Sequence, residues 1–190
     1  MNLRIFASFL STYWYRPAHS MRLLLSAEQG HLMALLIAAS LGIIQSSRLV
    51  FLQSESIFSQ FLAGGLAGVA GLYLFGWLTR NFGRWFGAGA TQRDVRIALG
   101  FGVLPWTLTF VTVAILLEAG VSDEVIAGYI SFISILLAYG CVVLLLSLSA
   151  ALQLSVIKTF LCMIVTALFS VFPLTLLAQL LVGLIGESAR

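Results

Sequence analysis

The chain has 190 residues, 61% of them hydrophobic and 9% charged, with a formal net charge of +3 and a mean hydropathy of +1.07. A soluble domain carries roughly 25% charged residues. This chain has too few to cover a water-facing surface, and lipid is the medium its apolar side chains require.

Nothing in the composition divides the chain, so residues 1–190 read as one membrane domain. Residues 1–30 are expected to form a cytoplasmic interfacial segment. In LRIFASFLSTYWY, Ile5, Phe6, Phe9, Leu10 and Tyr13 recur at helical spacing against Arg4, Ser8, Ser11 and Thr12. That pattern predicts an amphipathic helix lying on the inner leaflet. Pro17 opens a second short helix carrying Met21, Leu24 and Leu25, because proline suits a first helical turn. No short apolar stretch ending in a small-residue cleavage site precedes the first long run, so no signal peptide is expected.

Five apolar runs follow, over about 31–47, 57–79, 97–118, 124–150 and 158–186. Each can supply the roughly 20 residues that a bilayer span needs. The predicted fold class is an all-α integral membrane protein, with five transmembrane helices preceded by a short amphipathic interfacial helix. Between the second and third runs lies TRNFGRWFGAGATQRDVRIAL, residues 79–99, with four of the ten basic residues of the chain. Its central part, 80–96, reads as the main basic loop, with Arg80, Arg84, Arg93 and Arg96 as its charges. With the N-terminus cytoplasmic, eight basic residues fall inside (these four with Arg4, Arg16, Arg22 and Lys158) and two outside, Arg48 and Arg190. That bias predicts a cytoplasmic N-terminus and, after five spans, a periplasmic C-terminus. Phe82, Trp85 and Phe86 suit the headgroup level. Thr91 with Asp94 forms a capping-box pattern that would start the third span. Ser122, followed by Asp123 and Glu124, would start the fourth.

In lipid, small residues mark close helix contacts. Such stripes are Ala34, Ala38, Gly42 and Ser46 in the first span, and Gly64, Ala67, Gly68 and Gly71 in the second. Gly128, Ser131, Ser134, Ala138 and Cys141 form one in the fourth, and Cys162, Thr166, Ser170 and Pro173 one in the fifth. They serve either internal packing or, for Gly64, Gly68 and Gly71 above all, contact with another subunit. Pro105 and Pro173 should interrupt the third and fifth spans.

Catalytic patterns such as HExxH, GxSxG or a phosphate-binding loop are missing from the sequence. His19 and His31 read as interfacial polar residues. Cys141 and Cys162 read as small buried hydrophobes, not as a disulfide or a metal site. Tyr139, Gln45 and Gln179 are the most polar intramembrane side chains, and helix bridging is their expected role. No enzymatic activity, cofactor or metal is expected. One lysine against nine arginines suggests a GC-rich, bacterial coding bias.

The segment YRPAHSMRLLL, the five-span layout, and a basic loop leading into RIALGFGVLPW together resemble the Ypt-interacting protein family in its compact bacterial form. The matching positions are Arg16, Pro17 and Arg22 before the first span, with Gly100 and Pro105 early in the third. The likeness covers about residues 10–186. It implies a five-span membrane protein with a cytoplasmic N-terminus. Eukaryotic members bind prenylated Rab-type GTPases, but this chain lacks their long cytosolic N-terminal region and their acidic-aromatic motif. Rab binding is therefore not implied here.

Residues and resemblance together predict a non-enzymatic inner-membrane protein that acts as an accessory subunit or bilayer modulator. Arg80, Arg84, Trp85, Arg93 and Arg96 would contact anionic lipids or a membrane-protein partner. A homo-oligomer is the other expected assembly, and no nucleic acid is expected. The alternative is a passive transporter or permease for a lipid or small apolar molecule.

Overall fold

The computed structural model describes residues 11–46 and 57–170, and among these all regular structure is helical. Eight helices follow the start of the described chain: α1 (Pro17–Ser26), α2 (His31–Ser46), α3 (Ile57–Trp85), α4 (Gln92–Gly102), α5 (Leu104–Glu118), α6 (Asp123–Gly128), α7 (Ile130–Leu152) and α8 (Val156–Ser170). Three runs are long and apolar enough to cross a bilayer: Phe58–Trp85, Gln92–Glu118 and Ile130–Leu152. The shorter α2 and α8 are equally apolar in character. At 1.5 Å per residue, the 16 residues of α2 reach about 24 Å, short of a hydrocarbon core of roughly 30 Å. The expected continuation of the first span at residue 47, and of the fifth over 171–186 with Pro173, lies outside the described residues, as do Ile5, Phe6, Phe9 and Leu10 of the expected surface helix.

Two helix starts follow local sequence. Thr91 accepts the Asp94 amide at 3.2 Å, and Asp94 Oδ2 accepts the Thr91 amide at 3.2 Å, closing a full capping box ahead of α4. Pro17 sits in the first turn of α1. Ser122 does precede α6, but its hydroxyl makes no capping bond. The expected fourth span is divided, with a turn at Tyr129 between α6 and α7.

The third span breaks where proline dictates. α4 gives way to α5 at Val103, which still donates to the Leu99 carbonyl and accepts from Thr107, and Pro105 occupies the first turn of α5. In an unbroken helix the N–H of residue 105 would donate to the Phe101 carbonyl, and proline has no N–H to give. The hydroxyl of Tyr13 takes that carbonyl instead, at 2.7 Å, and lies 3.2 Å from Ser147 Oγ on α7. Tyr13 is fully buried. The next residue is tied to α7 as well: Tyr139 donates to the Trp14 carbonyl at 2.6 Å, and the two rings stack at 6.3 Å. At Tyr13 and Trp14 the chain packs against α4 and α7, so the apolar side of this segment meets the bundle there.

The core lies where α1, α2, α4 and α7 meet, around Met21, Leu24, Ala34, Ile97, Phe101, Val143 and Leu148. Gly100 permits one approach: a Cβ there would meet the Cβ, Cα and carbonyl of Ala34 on α2. On α7 the buried face is Gly140, Val143, Leu144, Ser147, Leu148 and Ala151. The expected stripe from Gly128 to Cys141 is exposed instead. Lipid hides this distinction from sequence, since both faces of α7 are apolar. Cys162, Thr166 and Ser170 of α8 are buried along one stripe, as are Ala34, Ala38 and Ser46 of α2.

Candidate functional site: a basic rim and an apolar cavity

The basic segment is mostly helix and not loop. α3 continues to Trp85 and α4 begins at Gln92, so only residues 86–91 connect them. Arg80 and Arg84 stand on the last turns of α3, and Arg93 and Arg96 on the first turns of α4. Arg80 Nε donates to the Ala90 carbonyl at 3.2 Å, and Arg93 Nη2 to the Glu28 carbonyl at 2.7 Å. Arg96 Nε donates to the Gln92 carbonyl, and its guanidinium carbon sits 4.3 Å from the Tyr73 ring centre. Arg84 is exposed, and Trp85 is 74% exposed beside it. Among the described residues none of the four arginines forms an ion pair: Asp94 is engaged in its capping box, and Glu28 meets Arg93 through its backbone carbonyl and not its carboxylate. The guanidinium groups are thus positioned by carbonyls and a ring, which leave their charge uncompensated. His31 opens α2 within electrostatic reach of Arg93 and Arg96, with Nδ1 buried and lacking a hydrogen-bond partner. Phe82 turns inward from the rim. It is buried, edge-on to Trp85 at 5.0 Å and against Phe169 of α8 at 5.0 Å.

The family-pattern residues separate into two groups. Arg16 and Arg22 are exposed around α1, while Pro17 is buried in its first turn. Gly100 and Pro105 act in the core, as contact point and helix break.

The three glycines singled out on α3 also separate. A Cβ at Gly64 would collide with Ser46, and one at Gly68 with the Ala38 carbonyl, both on α2. These two are consumed by packing against α2 of the same chain, which leaves neither for a second subunit. Gly71 has nothing within 4 Å of the position a Cβ would take. It faces a half-open cavity of about 830 Å³.

Sequence reading missed this cavity. Its walls come from α2 (Ala38, Gly42), α3 (Gly68, Gly71, Phe75), the α4–α5 break at Val103, α7 and α8. Among the described residues no charged side chain lines it. The signal for it in sequence was a stripe with one more small residue than the contact with α2 needs. The cysteines lie apart in character, Cys141 exposed and Cys162 buried, and Cys162 Sγ donates to the Thr79 carbonyl at 3.5 Å.

No family model, curated protein or solved structure matches this chain.

Proposed function

We propose that the chain is a non-enzymatic, five-span protein of a bacterial inner membrane, related in kind to the Ypt-interacting family it resembles. Its N-terminus is cytoplasmic and its C-terminus periplasmic. It works by association, as an accessory subunit or a modulator of the bilayer, and its contact surface is the basic rim. One observation carries this reading. Arg80, Arg84, Arg93 and Arg96 share one end of the bundle, three of them held by backbone carbonyls, and none is neutralised by an ion pair among the described residues. Fixed, uncompensated guanidinium groups beside an exposed tryptophan suit the phosphates of anionic lipids or an acidic partner surface. Each basic residue near an anionic leaflet contributes about 1 kcal/mol, screened within a Debye length of about 8 Å at physiological salt.

The test changes all four arginines to glutamine. Alkaline-phosphatase and fluorescent fusions at Arg190 report orientation, and native mass spectrometry reports cardiolipin and phosphatidylglycerol adducts. The expected result for the wild type is an active phosphatase and a dark fluorescent fusion. The variant, with orientation kept, should lose at least tenfold of its anionic-lipid adducts. A correctly oriented variant with undiminished adducts and unchanged partners refutes the rim as a contact surface. The second reading, a passive permease for a lipid or small apolar molecule, draws on the 830 Å³ cavity alone. Solute flux into liposomes well above empty controls would promote it.

A further inference from the structure

The cavity points to its own occupant. Three of its polar lining side chains are spent: Ser46 Oγ donates to the Ile43 carbonyl, Thr166 Oγ1 to the Cys162 carbonyl, and Trp106 Nε1 to the Leu137 carbonyl, which leaves Gln45 at one end and Thr79 at the other. A ligand there finds hydrocarbon surface and few free donors, and no charge. Polar solutes would lose their hydration without replacement. The lining along α3 runs from Ala67 to Thr79, about 18 Å at 1.5 Å per residue. One leaflet of a bilayer is roughly 15 Å of hydrocarbon. The wall is smooth where α2 and α3 meet, because Ala38, Gly42, Gly68 and Gly71 project almost nothing into it.

We propose that this cavity is a binding site for one acyl chain of a membrane phospholipid, which completes the interior packing of the bundle. Length, lack of charge among the described lining residues and the mostly apolar wall all suit a hydrocarbon chain, and the bilayer supplies that chain at the highest concentration of any apolar molecule around the protein. The site is separate from the basic rim. Arg96 stacks on Tyr73, which shares the exposed face of α3 with Leu66 and Trp77, whereas Gly71 and Phe75 face the cavity.

Gly71 gives a direct test. Leucine at this position enters open space, not a neighbouring atom, and leucine is a better helix former than glycine. Gly71→Leu therefore folds and projects a branched side chain into the middle of the cavity, across the path of a bound chain. Gly128→Leu, at another glycine with nothing within 4 Å and outside the cavity, is the control. The protein is reconstituted in nanodiscs containing phosphatidylglycerol with a diazirine on one acyl chain, irradiated and digested. The expected wild-type result is labelling of peptides at Phe75 and Met163. It falls at least tenfold in Gly71→Leu and is unchanged in Gly128→Leu and in the quadruple arginine variant. Labelling confined to outward residues such as Leu66 and Phe58, or cavity labelling undiminished in Gly71→Leu, overturns the proposal. Since the arginine variant is read in parallel, loss of the rim function and loss of the acyl site are scored separately.

Discussion

Replacing Tyr13 with phenylalanine removes one oxygen and keeps the ring in its edge-on contact with Phe101 at 6.3 Å. What is lost is the donor that serves the carbonyl released by Pro105. A hydrogen bond of this kind is worth about 0.5–1.5 kcal/mol net, and stripping a buried acceptor costs about 1–3 kcal/mol. Measured values inside membrane proteins average about 0.6 kcal/mol, with a maximum near 1.7. Ser147, the second partner, can turn its hydroxyl back to its own helix, so it adds little. The expected loss is about 1–2 kcal/mol. The decisive measurement is a double-mutant cycle with Pro105→Ala. Alanine restores the N–H that a helix would direct at Phe101, so Tyr13→Phe should then cost about 0.5 kcal/mol or less. Reversible unfolding in bicelles, followed by steric trapping, gives all four corners. A coupling energy within the additivity error of about 0.5 kcal/mol would show that Tyr13 does not stand in for the missing amide.

Gly68→Leu should be far more damaging than Gly71→Leu, by at least about 3 kcal/mol in the same assay, since its Cβ alone meets the Ala38 carbonyl. Equal stabilities would refute the division of the glycine stripe. Thr91→Ala removes a complete capping box and should cost about 1 kcal/mol. It would read out as roughly fivefold faster hydrogen exchange at the amides of the first turn of α4, with more distant helices unchanged. Burial raises the Tyr13 phenol above its ordinary pKa of about 10. Its contribution to stability is therefore complete below pH 10 and falls only as pH rises towards the folded-state value. The difference between wild type and Tyr13→Phe should stay flat from pH 6 to 9.

Features readable in the sequence were those decided within a few residues. Thr91 and Asp94 are three apart, and their side chains need nothing else. Pro105 breaks the third span through its own missing N–H, and Pro17 opens α1 for the same reason. The small-residue pattern also located the contact of α2 with α3, because close backbone approach has few other causes in lipid. What escaped were the partners set by tertiary placement. The donor for Phe101 comes from a tyrosine that sequence periodicity assigned to a leaflet surface. The buried face of α7 runs through Val143 and Ser147, and hydropathy could not separate it from the apolar lipid face. Gly68 and Gly71 look alike as letters, but only the position of α2 decides which one is covered. The arginine helix ends were read as loop because glycine and charge at 83–89 masked the continuation of α3 to Trp85.

The ties of Tyr13 and Trp14 also fix an order of events during synthesis. The Phe101 carbonyl lies 88 residues after Tyr13 in the chain, and the Tyr139 hydroxyl 125 residues after Trp14. The first bond cannot form until α4 has been translated and inserted, nor the second until α7 has been made as far as Tyr139. The segment at Tyr13 and Trp14 is therefore made before the groups that hold it and is seated only after them. Its arrival then seals the helix break at Val103. A nascent chain arrested before Tyr139 should accordingly leave residues 11–16 open to protease, and release of the full chain should close them.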